Sequence, residues 1–419
     1  MEDRFVCQFH DFSHDGLGVG KIGSKVVFVD GVLPQEVAAI KITKEKKNYL
    51  EGHLLQIQQK SPDRIEPICP KFGSCGGCQV MHLKYEKQTY FKKNRVINQI
   101  NKMMKTPIDF EIDIMPSESD LYYRNKIELK IEKGKIGYYE KKSHKLLDIS
   151  KCFIAKSILN KILTSLRSFI SNLDAVYKVT LRTNRAENEV TLIFHSDEKF
   201  NHNWINELIS IHPEIVGVVL LSSHFKKEVI FGRSYLNENV LNETFKVDCL
   251  AFLQVNIPQA EKLYQKVIEF LNPKKEEVIV DAYCGIGILA CLLAKTQAKV
   301  LGLDIIKESI LSAQENAQFL KLDNAQFTQE PFEKSKSLQG NIDSLIINPP
   351  RGGCDPLAFS KVRELSPSKI IYVSCDPATL SRDLNILFSC DYKIKQGQIF
   401  DLFPQTMHVE TVIYLEKID

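Results

Sequence analysis

Two groups of residues in this sequence have types and spacings that suit chemistry better than packing. The first is the cysteine in "KIIYVSCDPATLSRDL", residues 369–384. Buried cysteines usually act as small apolar fillers within a β-branched run. Cys375 instead stands at the mouth of such a run, where a strand's carboxyl end opens into Asp376-Pro377 and a helix-like stretch. A thiol placed there can serve a crevice as a nucleophile. The second group is "ICPKFGSCGGCQVMHLKY", where Cys69, Cys75 and Cys78 form a C-x5-C-x2-C pattern. Gly73, Gly76 and Gly77 let the backbone wrap tightly, so that several thiolates can face one inorganic centre. "DISKCFIA" offers Cys152 as a fourth ligand. Zinc and an iron–sulfur cluster both accept four thiolates, and spacing does not separate them.

A small-molecule pocket is written into "VIVDAYCGIGILACLLA", an apolar strand, a glycine turn and a helix. Gly285 and Gly287 let the backbone approach a ligand at a helix N-terminus. The next strand ends in Asp304, where an acid can hold ribose hydroxyls. Gly285-x-Gly287-x-x-Ala290 also fits a dinucleotide fingerprint. Asp281, at the strand end before the glycines, argues against it. A carboxylate there repels a pyrophosphate but suits the cationic end of S-adenosylmethionine. The later run "IINPPRGG" makes Asn348-Pro349-Pro350 a rigid loop at another strand's carboxyl end, on the same crevice.

The Cys375 loop follows the next strand and so opens onto that crevice too. Nitrogen and oxygen acceptors of a methyl group need a base or a dipolar clamp, not a sulfur nucleophile. The C5 carbon of uracil is different, because it attacks a methyl group only after a nucleophile has added to C6. A base must then remove the C5 proton. "FPQTMHVETVIYLEKI" offers Glu410 at the start of the last apolar strand, with His408 beside it.

The elements that must position these residues fall into three groups. Residues 1–58 read as short strands between glycine turns, which suits a small closed barrel. Residues 59–250 mix helices and strands as an α+β unit, with a helix over about 84–104 that is a candidate to pack on the last domain. Residues 251–419 alternate strand and helix, which implies an α/β, mostly parallel, doubly wound sheet of Rossmann-like type. At 419 residues, with 44% hydrophobic and 26% charged residues, the chain suits a multidomain globular protein. No apolar run reaches the length of a membrane span, and the acidic start MEDRFVCQFHDF has no signal-like core. The expectation is a cytoplasmic monomer whose eleven cysteines serve as ligands, a nucleophile and core fillers. Cys7, Cys249, Cys284, Cys291, Cys354 and Cys390 read as core or incidental. Net charge is only +3, yet residues 84–105 and 122–156 each carry a net +6, interleaved with tyrosines. Such faces suit a polyanion with stackable bases.

Together these motifs make the sequence similar to the bacterial RNA 5-methyluridine methyltransferases of the RumA/RlmD and TrmA family, over nearly the whole chain. The first strands resemble a TRAM (OB-like) barrel. "CPKFGSCGGCQVMHLKYEKQ" with Cys152 resembles the family's four-iron cluster motif, "AFLQVNIPQAEKLY" its cofactor segment, and "NPPRGG", "YVSCDPATLSRDL" and "HVE" its catalytic loops. The resemblance implies a 4Fe-4S cluster on Cys69, Cys75, Cys78 and Cys152, Cys375 as nucleophile and Glu410 as base. It implies that Gln254, Tyr283, Asp304 and Asn348 contact S-adenosylmethionine. It also implies that Phe252 lies against an extruded uracil, and that Arg124 lies near the RNA. By analogy, barrel plus cluster points to 23S ribosomal RNA, with the T-loop uridine of tRNA as the alternative.

Four positions depart from the family's pattern. Ile288 and Pro331 stand where polar cofactor contacts are common, and Gln35 replaces a turn glycine. Asp376 stands where many relatives have Asn, and either residue can cap the following helix. Two rival readings remain. An amino-group methyltransferase using the Asn-Pro-Pro loop would normally follow it with an aromatic residue, where this chain has Arg351, and would leave Cys375 idle. A non-catalytic iron–sulfur RNA-binding protein would have no use for Cys375, Glu410 and the glycine loop together.

Overall fold

The fold is that of a computed structural model, which describes residues 4–103, 110–198, 203–224 and 226–418. Met104 and Lys105, at the end of the expected first helix and of the first basic segment, lie outside the described residues.

Alternation of apolar and polar residues in five short strands closes the first unit. Arg4–Phe12, Gly18–Ile22, Lys25–Val29, Val37–Glu45 and Tyr49–Gln59 form a closed barrel in which the third strand pairs with the fifth and the fourth returns to the first. Its inward positions, among them Phe9, Val27, Val29, Ala38 and Ile40, make a separate small core. Gln35, where a turn glycine was expected, adopts φ 70°. That left-handed conformation costs a non-glycine residue about 1–2 kcal/mol.

The central unit is a seven-stranded mixed sheet in the order Lys227–Gly232, Ile215–Leu221, Val190–His195, Lys178–Thr183, Lys126–Glu132, Lys135–Tyr139, Leu146–Asp148. The helix Ser157–Ser168 buries Ile158, Leu159, Ile162, Leu163 and Leu166, a helical period, against one face of this sheet.

The last unit holds an eight-stranded sheet. Ala325–Gln329, Lys299–Asp304, Val278–Ala282, Ser344–Ile347 and Lys369–Ser374 run parallel in that spatial order. Glu410–Lys417 then pairs antiparallel with both Lys369–Ser374 and Tyr392–Phe400. The eighth strand, Asp113–Met115, comes from the middle of the chain and pairs with Tyr392–Phe400. Two apolar layers cover the two faces of the sheet, as a doubly wound arrangement requires.

The helix Tyr85–Met103 packs on this last unit, against Pro377–Phe388. Ser381 Oγ donates to the Gln99 carbonyl at 2.8 Å. Lys92, fully buried, donates to Asp401 Oδ1 at 2.6 Å and to the Phe403 carbonyl at 3.0 Å. The chain segment between barrel and central sheet therefore braces the loop that leads into Glu410. Among the described residues no helix is long and apolar enough to cross a membrane.

Candidate active site

Strand register brings the proposed nucleophile and base together. Ser374 is the last residue of its parallel strand and pairs with Thr411 of the antiparallel strand. One further step along that ladder sets Cys375 opposite Glu410, at the edge where ligands gather in such sheets. Asp376 caps the following helix, accepting from the amides of Ala378 and Thr379 at 2.9 Å each. Pro377 occupies the first turn of that helix, and the thiol is left at the strand's mouth.

The electrostatics agree with that proximity. Cys375 is half-buried, and its pKa is pushed up to about 11, first by desolvation and then by the charge of Glu410. Glu410 is only 4% exposed, and desolvation raises its carboxyl to about 8. The positive charge that opposes both shifts is Arg351, from the "NPPRGG" loop. At neutral pH the thiol is therefore protonated and the carboxyl largely so, with one guanidinium near both. Arg351 was not singled out as an active-site group from the sequence; its place directly after the Asn-Pro-Pro loop was the available signal. His408 lies at the rim of this group, where partial desolvation and then the charges of Arg351, Lys92, Arg95 and Arg124 lower its pKa to about 4.

Beside the pair lies a cavity lined by Phe252, Gln254, Asp281, Tyr283, Gly285 and Asn348, among others. The two glycines of the turn do different work. Gly285, at φ +56°, has open space where a Cβ would stand, so the backbone faces the cavity bare. Gly287, at φ +76°, lies so close to Ala313 and the Phe327 ring that a Cβ would meet them at 2.8 and 2.9 Å. The first exposes backbone to a ligand and the second lets the helix pack. Asp304 does not line the cavity; its Oδ2 accepts from the Gly285 amide at 2.9 Å and its Oδ1 from Ile306 at 2.9 Å. Asp281 is buried, raised to about 7 by desolvation and then by Asp304, and it accepts the Ala290 amide. A cation in the cavity would relieve Asp281. Tyr283 is held at φ 67°, a costly conformation for a non-glycine residue at a ligand site.

Phe252 is 72% exposed, an unusual state for phenylalanine, and it marks the mouth of the cavity. Of the four departures from the family's pattern, Ile288 is an apolar part of the cavity wall. Pro331 opens the short helical turn Phe332–Lys334. Cys284, read from sequence as core or incidental, also lines the cavity.

Cys69, Cys75, Cys78 and Cys152 line one cavity of about 60 Å³ with Phe72, Met81, Arg124 and Tyr138. Burial raises the thiols of Cys75 and Cys78, and the charges of the other cysteines of the set raise them further. Such a set gains from a cationic centre. The donor set, four soft thiolates with one hydroxyl, the cationic side chains of Lys71, Arg124 and Lys151 and apolar walls, fits an iron–sulfur group. Among the described residues no three His, Cys, Asp or Glu side chains are grouped to hold a single metal ion. The four cysteines share the lining of this one cavity. Arg124, expected near RNA, is part of this wall, and its charge acts on both Cys78 and His408.

Comparison with known proteins places this geometry in context. The pattern of the family described as tRNA (Uracil-5-)-methyltransferase matches residues 84–418, and that of the TRAM domain matches residues 8–55. A protein of Clostridium acetobutylicum named as an uncharacterized RNA methyltransferase is 32% identical over 443 residues, covering 98% of this chain and 96% of that one. A Clostridium tetani protein of the same description is 33% identical, covering 96% and 93%. Among solved structures, the Pyrococcus abyssi tRNA (uracil-54, C5)-methyltransferase in complex with S-adenosyl-L-homocysteine superposes with a TM-score of 0.81. It is 26% identical, and the match covers 98% of this chain and 100% of that chain.

Proposed function

The chain belongs to the tRNA (uracil-5-)-methyltransferase family, and on that premise we propose that it methylates C5 of a structured-RNA uridine through a covalent Cys375–C6 adduct. It is an S-adenosylmethionine-dependent RNA (uracil-C5)-methyltransferase by family and fold. The observation that carries the mechanism is the meeting of Cys375, Glu410 and Arg351 beside the Gln254–Asn348 cavity.

In this reading Gln254, Asp281, Tyr283, Gly285 and Asn348 hold the methyl donor, with Asp304 and Gly287 shaping the turn that carries them. When bound, the donor supplies an electrophilic methyl group. Phe252 stacks on the uracil once it has left its helix, because a thiol cannot reach C6 of a stacked, paired base. The Cys375 thiolate forms a bond to C6, and the displaced electron pair makes C5 an enolate-like carbon that takes the methyl. Glu410, in its carboxylate form, then accepts the C5 proton, the S–C6 bond breaks, and its electrons return to Cys375 as the C5–C6 double bond reforms. Arg351 offsets the two negative charges that the cycle brings together. The proton on Glu410 passes to water.

We take Cys69, Cys75, Cys78 and Cys152 as ligands of a 4Fe-4S cluster. Four thiols lining one cavity serve zinc as well as a cluster, and the preference for the cluster rests on the resemblance of the C-x5-C-x2-C motif. The working division is a barrel to residue 58, a central RNA-binding unit to 250 and a catalytic unit from 251, acting as a cytoplasmic monomer, with Arg124 among the RNA contacts.

The first substrate proposed is 23S ribosomal RNA, because the chain combines the barrel with the four-cysteine motif. A second reading, the tRNA T-loop, is favoured by the Pyrococcus abyssi enzyme, whose full length aligns with this chain, so barrel plus central unit does not by itself select ribosomal RNA. Incubation with S-adenosylmethionine and unmodified ribosomal or transfer RNA, followed by nucleoside analysis, tests both readings. Formation of 5-methyluridine in one RNA selects the substrate, and methylation confined to amino groups sinks the proposal.

A further inference from the structure

A cavity of about 250 Å³ lies at the seam between barrel and catalytic unit, separate from the donor cavity. It is lined by Asp11, Phe12 and His14 of the barrel, by Phe91, Asn94, Arg95, Asn98, Gln99 and Lys102 of the helix Tyr85–Met103, and by Met407. Asn94 and Asn98 are one helical turn apart and Gln99 adjoins them, so three carboxamides face one space. Their side chains make no hydrogen bond among the described residues. Gln88 in the same helix shows what a structural carboxamide does. Its Nε2 donates to Val80, Leu83 and Gln405, and its Oε1 accepts from the Gln405 amide at 2.9 Å.

Two wall residues, Met407 and Gln99, link the cavity to the elements that carry Glu410 and Cys375. Met407 stands three residues before Glu410. The Gln99 carbonyl is bonded to Ser381, in the helix that begins directly after Cys375 and Asp376. Arg95 is fixed in the seam, its Nη1 donating to the carbonyls of His14 at 3.3 Å and Met407 at 3.0 Å. It lines the cavity with that nitrogen engaged. Asp11 makes the interior unsuitable for a phosphate, whereas Lys102, exposed at the edge and without an ion-pair partner among the described residues, suits one. Phe91 and Phe12 pack edge to face at 5.1 Å and supply the apolar side.

A ligand that needs donors and acceptors side by side, an aromatic contact, and an anion outside the cavity is a nucleotide. Carboxamides pair with the donor–acceptor edge of a base, and single-stranded RNA is read by such contacts to splayed-out bases. We propose that this seam cavity holds a second unstacked nucleobase of the RNA strand near the target uridine, read by Asn94, Asn98 and Gln99, with Lys102 on its phosphate. The inference rests on the reading of the protein as an RNA-modifying enzyme. It makes the seam a specificity-determining site coupled to the catalytic loops by shared walls.

Ultraviolet cross-linking of the full-length protein to unmodified ribosomal and transfer RNA, with the joined peptides identified by mass spectrometry, tests it. A cross-link at Phe12, Phe91 or helix residues 94–102, lost in an Asn94→Leu/Asn98→Leu variant that still binds S-adenosylmethionine as the parent does, supports the proposal. That variant should raise KM for RNA about tenfold or more, with kcat little changed. RNA joined at Phe252 but at none of the seam residues, with KM unchanged in the variant, overturns it. A seam cross-link without one at Phe252 would keep the base site and remove the catalytic crevice reading.

Discussion

Replacing Glu410 by Gln separates two events that the wild-type protein performs together. Cys375 must ionise to attack, and its pKa of about 11 means that about one site in a thousand carries the thiolate at pH 8. Raising a thiol from 9.0 to about 11 costs roughly 3 kcal/mol at about 1.4 kcal/mol per pH unit. The first methyl transfer should therefore speed up about tenfold per pH unit between pH 6 and 8, as the thiolate fraction does. Glu410 titrates at about 8, and its negative charge is the second cause of the raised thiol pKa. Glutamine never acquires that charge. Above pH 8 the variant should thus form thiolate more readily than the wild type, and its first methyl transfer should be at least as fast. Turnover should fall by about 10²–10⁴-fold, because the C5 proton has no base to go to. Rapid quenching with methyl-labelled donor, followed by denaturing electrophoresis, counts both methylated RNA and RNA still bound to protein. The expected result is close to one methyl per site, held in a covalent complex. A variant that loses the first transfer together with turnover, or a first transfer independent of pH between 6 and 8, would refute this reasoning.

Other perturbations address the parts that position the pair. Gly287→Ala forces a Cβ to 2.8 Å from Ala313 and 2.9 Å from Phe327 at positive φ, so it should destabilise the protein by about 1–3 kcal/mol and weaken donor binding, as thermal melting and calorimetry would show. Lys92→Met leaves Asp401 buried and unpaired. A loss of about 3–5 kcal/mol in denaturant unfolding is expected, and a loss under 1 kcal/mol would mean that the brace is not needed. Purification without oxygen should give four irons and four sulfides per chain. Cys78→Ser should lower both, whereas one zinc per chain in the parent would replace the cluster assignment.

Much of the catalytic unit was legible because its signals are local. The strand, glycine turn and helix around Gly285, the apolar run that ends at Cys375, and the Asp376 cap are all encoded within a few residues of one another. Glu410 was reachable only through chemistry, since a glutamate at a strand start is ordinary. What the sequence could not show is contact between distant residues. Lys92 and Asp401 lie 309 positions apart, and neither has a neighbour in sequence that betrays the pairing. Asp113–Met115 is three residues long, too short for its alternation to reveal that it extends the catalytic sheet. Arg351 was read only as a missing aromatic, because its role depends on three loops meeting. The seam carboxamides, Asn94, Asn98 and Gln99, carry no signal in the sequence, because the space they share exists only where the barrel meets the helix.

The central claim is carbon-5 chemistry driven by Cys375, and tritium release tests it most directly. The purified protein is given S-adenosylmethionine and unmodified ribosomal or transfer RNA carrying tritium at uridine C5. Release into water that requires the donor, matches methyl transfer one for one, and disappears in Cys375→Ala is the predicted result. Methyl transfer without release, or release at the parent's rate in Cys375→Ala, would contradict it.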